Sequence, residues 1–402
     1  MFLSKKPHKK TKEESNWAIH FALIIMSFSY YIFTFTKEIS FLHFPFLLLF
    51  SFLPFYLLYK FKVDQLRPKN GYRTFFTFSF FIIIINTILY GLFNSTMGEI
   101  VASFGIYSQI IVAYNLSKEN FRLFFKNFKI VAVLCLIFLP FIIMTASFDA
   151  SSIANRETVN ETFFTFAGSF WIVVPFVLYS IITKTKIKLA LLLWVAAVAL
   201  NLLFLKRFII IDSLLLIIAI IFIQLNEKQK LFNRFNLFVL MTIPLISFFI
   251  SSQESLSTGL DTTIDRITDQ SIDKTDDFDR FKESNDYLFE QANLFDIIIG
   301  RGFSGKHIGY SSESLSLHTG WANFILKGGF FLFILVVIPF LKAILLLASF
   351  KKLPNYMKFS VIYIVIHIVR LLYHNLHNYR PELLLLFFTM FTVMDYKHKK
   401  RI

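Results

Sequence analysis

Residues 189–224 decide the fold class of this chain: LALLLWVAAVALNLLFLKRFIIIDSLLLIIAIIFIQ. The stretch consists of two apolar runs, 189–205 and 208–224, separated only by Lys206 and Arg207. Each run is long enough to cross a hydrocarbon core of about 30 Å as an α-helix. The pattern therefore predicts a helical hairpin in a membrane, with the two cations in its turn.

The composition of the whole chain agrees with this local pattern. Of 402 residues, 56% are hydrophobic and 17% charged, and the mean hydropathy is +0.61. Soluble proteins carry about 25% charged residues. The only cysteine, Cys135, lies inside an apolar run, which excludes an intramolecular disulfide. A cytosolic enzyme, a disordered tail and a disulfide scaffold are thus excluded.

Apolar runs recur along the chain and predict an all-α, polytopic membrane protein with about twelve transmembrane helices. The predicted helices are 17–36, 41–59, 74–93, 99–115, 129–146, 163–183, 189–205, 208–224, 236–252, 321–348, 357–376 and 382–394.

The distribution of positive charge predicts the orientation. The net charge is +15, but the Lys and Arg residues form short clusters between apolar runs instead of one basic face, so we predict no nucleic-acid partner. Alternate loops are net basic, among them Lys60 to Arg73, Lys184 to Lys188 and the tail Lys397 to Arg401. Because cytoplasmic loops are enriched in Lys and Arg, we expect both termini to be cytoplasmic.

One external segment stands out, and it divides the chain into three parts. These are helices one to nine (1–252), a large external loop (253–320), and helices ten to twelve with the basic tail (321–402). The loop is rich in acidic residues, and loops of this length without a function are uncommon. Residues 276–299 lack Gly and Pro and carry apolar residues near helical spacing, which predicts one or two short helices resting on the outer membrane face. The apolar residues are Phe281, Leu288, Ala292 and Phe295.

Known nucleotide and zinc motifs are absent from the sequence, and we expect neither a cofactor nor a metal. Charged side chains at membrane depth indicate functional residues better than such motifs, because each costs about 2.5–3.5 kcal/mol to insert. Lys206 and Arg207 precede the N-terminus of a predicted helix, where the helix dipole also favours an anion such as phosphate. The alternative is that both cations reach lipid headgroups.

A second polar set lies on the predicted helix 357–376, where the spacing places four residues on one face. The set is His367, Arg370, His374 and His377, with Arg380 just beyond. Three interpretations stay open: the set lines an anion-binding cavity, it coordinates a metal, or it forms a structural ion pair with Asp212.

Three stretches resemble the O-antigen polymerase and O-antigen ligase superfamily. They are Arg280-Phe281, FDIIIGRGF at 295–303 and HTGWANFILKGG at 318–329. Members typically show an Arg that begins an outer-loop helix, a Gly-x-Gly turn, and then His-Asn-x-Tyr-Leu with a Gly about eleven residues after the His. Here Thr319 replaces the usual Asn. The family often has a Ser-Arg pair opening a transmembrane helix, where this chain has Lys206-Arg207.

This resemblance implies a glycosyltransferase on the outer face of the bacterial inner membrane. The donor would be a glycan on undecaprenyl pyrophosphate. The acceptor would be a second lipid-linked unit in a polymerase, or a lipid A core in a ligase. The implied catalytic residues are His318, Arg280 and Arg207, and the implied substrate-binding residues are Lys206, Arg301, Arg370, His374 and Arg380. The implied partners are these lipid-linked substrates, membrane lipids, a chain-length regulator and a flippase.

Two other classes remain as alternatives. A secondary transporter or lipid-linked glycan flippase would fit twelve helices, but such folds are usually built from repeats and none is evident here. A non-catalytic scaffold would need neither the Arg residues nor His318. For His318 itself, the alternative is an interfacial side chain that anchors the next helix beside Trp321.

Overall fold

The computed structural model describes residues 70–116, 170–203, 208–227, 282–308, 319–372 and 381–396, with a few isolated positions outside these ranges. This part of the chain is almost wholly helical, which confirms the all-α class. The α-helices are α1 (Gly71–Asn94), α2 (Met97–Asn115), α3 (Phe170–Thr183), α4 (Ile187–Leu203), α5 (Phe208–Asn226), α6 (Leu294–Ile299), α7 (Gly320–Leu347), α8 (Asn355–Leu371) and α9 (Pro381–Asp395). A π-helix, Tyr287–Gln291, precedes α6, and strands β1 (His307–Ile308) and β2 (Glu313–Ser314) pair antiparallel.

Each apolar run that falls within the described ranges forms a helix. The predicted helix 357–376 is shorter than expected, since α8 ends at Leu371. By length and composition, α1 and α7 could each cross a membrane, and shorter apolar helices accompany them. The runs 17–36, 41–59, 129–146 and 236–252 lie wholly or mainly outside the described residues. The count of twelve transmembrane helices therefore stays a prediction.

The helices pack as one bundle, with α8 in contact with α3, α5, α7 and α9. Nearly every side chain of α8 is buried. Aromatic rings join α1, α2 and α9: the ring centroids of Phe76 and Phe391 lie 4.8 Å apart, and those of Phe76 and Tyr114 lie 5.6 Å apart. Edge-to-face and offset contacts of this kind stabilise a core beyond the area that they bury.

Polar contacts at one end of this bundle join the ends of four helices. Arg73, at the start of α1, pairs with Asp395 at the end of α9 at 2.6 Å, and it also donates to the carbonyl of Tyr114 near the end of α2. Lys342, late in α7, donates to the carbonyl of Met394 at 3.0 Å. These are the helix ends that the charge pattern predicts to be cytoplasmic.

At the opposite end, α7 is broken. Gly328 and Gly329 have non-helical backbone angles, and Gly329 has a left-handed φ of 57°. A break frees backbone groups that need new partners. One of them is satisfied by the external loop, because the backbone N–H of Arg301 donates to the carbonyl of Leu326 at 2.7 Å.

The loop turn at Gly300 packs backbone against backbone on this break. Gly300 has a φ of 81°, and a Cβ atom there would lie 2.5 Å from the nitrogen of Gly329. A Cβ atom on Gly329 would collide with the carbonyl group of Ile298 in return. Only glycine meets both the left-handed angle and the close approach. This geometry confirms the predicted sharp turn at 300–302.

The same turn is fixed to α1. The side chain of Asn86 donates to the carbonyl of Gly300, and a Cβ atom on Gly302 would lie 2.5 Å from the Cα of Thr87. The hydroxyl of Thr87 accepts from the backbone N–H of Phe303 at 2.9 Å. The external loop is therefore built into the helix bundle between α1 and α7.

Replacing Gly329 by Ala should loosen this docking. The left-handed angle costs about 1–3 kcal/mol for a residue with a Cβ, and overpacking against Ile298 adds about 1–3 kcal/mol. We expect a lower melting temperature in detergent and faster proteolysis of the external loop. The control is Gly71→Ala, because a Cβ atom there would meet nothing within 4 Å. Equal stability of the two variants would contradict the docking.

Candidate functional site

Two of the eight predicted site residues, Arg301 and Arg370, lie within the described part of the chain. The other six lie outside the described residues: Lys206, Arg207, Arg280, His318, His374 and Arg380. Their roles stay predictions.

Arg301 is held by the loop that carries it. Its guanidinium donates twice to Oδ2 of Asp296, at 3.1 and 2.9 Å, and once each to the carbonyls of Gln291 and Lys306, at 3.0 and 2.7 Å. An arginine has five N–H donors, so four of them are engaged here. The guanidinium also lies 5.3 Å from the ring centroid of Tyr287. Arg301 thus organises the loop, and its predicted role in substrate binding stays a prediction.

Electrostatics keep Arg301 charged and Tyr287 neutral. Burial disfavours the charged guanidinium, but the hydrogen bond and the negative charge of Asp296 outweigh burial, so the pKa of Arg301 lies above its ordinary value. Burial raises the pKa of the Tyr287 hydroxyl above its usual range. The centre of the loop therefore contains one permanent cation stacked on a neutral ring.

A short hydrogen bond joins the two loop segments that carry the predicted catalytic residues. Oγ of Ser284 and Oγ1 of Thr319 lie 2.6 Å apart, and both side chains are buried. Ser284 follows Arg280 by about one helical turn in sequence, and Thr319 is bonded directly to His318. Chain connectivity therefore limits how far Arg280 and His318 can lie from each other.

The loop also contains a buried carboxylate–imidazole pair that the sequence did not reveal. Nε2 of His307 lies 2.9 Å from Oε1 of Glu283, and both side chains are buried. Within the described residues, neither Nδ1 of His307 nor the hydroxyl of Tyr287 has a hydrogen-bond partner, and their rings are 6.3 Å apart. Buried polar atoms without partners mark a place where water or a ligand group is accommodated. No spacing signal links Glu283 and His307, because they are 24 residues apart and lie on different elements, a helical segment and β1.

Lys327 is a second buried group that sequence patterns did not single out. It is fully buried just before the break in α7, and its ammonium donates to the carbonyls of Phe303 and Gly305 at 3.0 and 2.8 Å. Nearby, Lys306 pairs with Glu99 of α2 at 3.3 Å. These two lysines hold the loop against the bundle from both sides.

Arg370 lies in a separate buried cluster formed by α5, α8 and α9. Its side chain is 1% exposed, lies 3.7 Å from Oδ2 of Asp212, and donates to Glu382. The ion pair with Asp212 is one of the three interpretations that the sequence left open, and the structure contains it. Among the described residues, no group of His, Cys, Asp and Glu is arranged to hold a metal.

His367 joins this cluster through both ring nitrogens. Nδ1 lies 3.0 Å from the carbonyl of Tyr363, and Nε2 lies 3.1 Å from Oε1 of Glu382. A carbonyl oxygen can only accept, so the contact with Tyr363 is made by the tautomer that carries its hydrogen on Nδ1. The imidazole is thus held between the backbone of α8 and the carboxyl group of Glu382 in α9. Helix α8 ends at Leu371, and His374 and His377 lie outside the described residues, so the predicted common face is seen only for His367 and Arg370.

Comparison with known proteins finds no matching family model, no similar curated protein and no similar solved structure.

Removing the cation from the buried cluster should destabilise the bundle. In Arg370→Met, Asp212 and Glu382 lose their buried counter-charge, at a cost of about 3–5 kcal/mol. Adding Glu382→Gln should recover part of this loss, because one uncompensated charge is then removed. Thermal unfolding in detergent measures the single and double variants. The control is Lys351→Met, which changes an exposed cation. An Arg370→Met variant with the melting temperature of the wild type would show that Arg370 is not needed for the stability of the bundle.

Proposed function

We propose that this chain polymerises oligosaccharide repeat units linked to undecaprenyl pyrophosphate into a surface polysaccharide, either O-antigen or capsule. The transfer takes place on the outer face of the bacterial inner membrane. In this proposal about twelve helices cross the membrane, both termini are cytoplasmic, and the loop 253–320 contributes the catalytic residues.

One observation carries the proposal beyond the sequence resemblance. The motif glycines of the loop, Gly300 and Gly302, and the motif glycines after His318, Gly328 and Gly329, belong to one packed unit. The contact between the two backbones explains why both segments of the motif carry glycine, although they are far apart in sequence. The residues that carry the resemblance are therefore in contact in the fold.

The polar contacts between helix ends support the predicted alternation of inner and outer loops. Arg73 and Asp395, which form an ion pair, both belong to predicted cytoplasmic ends. Lys306 and Glu99 pair at predicted outer ends. Since each pair joins ends of the same predicted side, the alternation of inner and outer loops is consistent with the packing of the bundle.

The proposed reaction has a charged leaving group that must be stabilised and a weak nucleophile that must be deprotonated. The acceptor hydroxyl oxygen attacks the anomeric carbon of the donor, and the bond from that carbon to the pyrophosphate oxygen breaks. His318 takes the proton of the hydroxyl as a general base. Arg280 and Arg207 stabilise the pyrophosphate that leaves, by bidentate contacts that suit Arg.

A transporter or flippase is the second candidate, and one observation favours it. The buried cluster around Arg370 and His367 places ionisable side chains at the level of the predicted transmembrane helices. Intramembrane ionisable groups are typical of ion and proton pathways. A ligase would differ from the polymerase only in its acceptor, a lipid A core.

Purified protein with a lipid-linked oligosaccharide tests the assigned residues. His318→Ala should bind the donor but lose elongation, by about 10²–10⁴-fold if the His acts as a general base. Arg280→Ala should weaken both donor binding and transfer. Lys282→Ala is the matched control, since Lys282 is an exposed cation close to Arg280, and it should behave as wild type. Normal elongation by His318→Ala would remove that residue from the mechanism.

Deletion of the gene separates the candidate functions in the cell. Loss of a polymerase leaves glycans of a single repeat unit on the cell surface. Loss of a ligase removes all of this glycan from lipid A, and loss of a flippase leaves the lipid-linked units on the cytoplasmic side. Gel analysis of the glycan together with the sidedness of the lipid-linked pool distinguishes these outcomes, and only the first agrees with the proposal.

A further inference from the structure

The short helix α6 in the external loop turns its apolar side outward and its acidic residue inward, the opposite of a helix on the surface of a soluble protein. Leu294 and Ile298 are one turn apart, and Phe295 shares their face of the helix. Their side chains are 73, 42 and 59% exposed. Asp296 is turned inward instead and pairs with Arg301 at 2.9 Å. In water, burial of the apolar side would be favoured.

The position of α6 relative to α1 shows what surrounds its outward face, which is Leu294, Phe295 and Ile298. The turn that follows α6 is fixed to Asn86 and Thr87 of α1. Thr87 precedes the last residue of α1, Asn94, by about two helical turns, which is roughly 10 Å along the helix axis. The short helix therefore lies alongside α1 and not above its end.

The neighbouring surface of α1 is also apolar and exposed. Leu89, Leu92 and Phe93, in the last two turns of α1, are all exposed. Helix α1 is long and apolar enough to cross a membrane. Other apolar side chains nearer its start are exposed as well. The outward face of α6 thus lies beside a helix whose exposed side chains have the chemistry of a lipid-facing surface. A large exposed apolar area of this kind indicates a contact with membrane or protein.

We propose that the outward face of α6 is embedded among the acyl chains of the outer leaflet, beside the last turns of α1. This inference rests on the proposed membrane location and goes beyond it, because it names the loop residues in contact with lipid. Acyl chains fit better than a protein partner for two reasons. No charged residue lies on the outward face, and the apolar surface continues along α1.

The embedding has a consequence for the proposed substrate. A glycan anchored by a polyprenyl chain presents its pyrophosphate at the level of the lipid headgroups. With α6 among the acyl chains, the loop segment that carries α6 is held at the membrane and not in the water above it. The loop then meets the substrate at the membrane surface, without withdrawal of the substrate from the bilayer.

Spin labels placed at single cysteines test the embedding in reconstituted full-length protein. Cys135→Ser gives a cysteine-free background, since the chain has one cysteine. Phe295→Cys then reports on α6. Leu92→Cys on α1 is the lipid reference, and Asn285→Cys, an exposed polar position of the same loop, is the aqueous reference. Collision of each label with oxygen, which concentrates in lipid, and with a water-soluble nickel chelate is measured by electron paramagnetic resonance.

The expected result is that the Phe295 label has an oxygen-to-nickel collision ratio close to that of the Leu92 label and several-fold above that of the Asn285 label. The embedding is overturned if the collision ratio of the Phe295 label matches that of the Asn285 label while the Leu92 label reports lipid. That result leaves the proposed function standing. A Phe295 label protected from both reagents shows a protein contact and also overturns the embedding. A Leu92 label in water contradicts the membrane location and with it the proposed function.

Discussion

The backbone contact between the turn at Gly300 and the break at Gly328 and Gly329 is the constraint on which the rest of the loop depends. Without side chains at these positions, two backbones approach closely enough for the Arg301 N–H to satisfy a carbonyl that the helix break leaves free. A continuous helix would present no such acceptor, and a bulkier turn would not reach it. The break in α7 and the turn in the loop are therefore two halves of one structural feature.

Charges around this contact are arranged to hold the loop in place. Lys327 binds two loop carbonyls from the α7 side, and Arg301 binds Asp296 and two further carbonyls within the loop. A cation removed from water is costly unless it is hydrogen-bonded. Lys327 makes two such bonds and Arg301 makes four. These contacts fix residues 301–306, which join α6 to β1 without regular secondary structure.

Sequence patterns predict the helices well but not the polar contacts between them. Apolar runs indicate α1 and α7 because length and hydropathy are local properties. They do not reveal the break inside α7, since two glycines in an apolar run are also compatible with close helix packing. The buried pair of Glu283 and His307 could not be predicted either, because its partners are 24 residues apart on two different elements. The ion pair of Asp212 and Arg370 is one of three arrangements that the sequence allows.

The inverted helix α6 connects the fold to the proposed chemistry. A loop above the membrane would bury its apolar residues and present its charges to water. Here Asp296 and Arg301 satisfy each other inside the loop, while Leu294 and Phe295 point outward. Apolar surroundings favour that arrangement, and the proposed embedding of α6 in the outer leaflet would supply them. The internal pairing of charges agrees with this proposal, because a loop can enter lipid only after its polar groups have found partners within the protein.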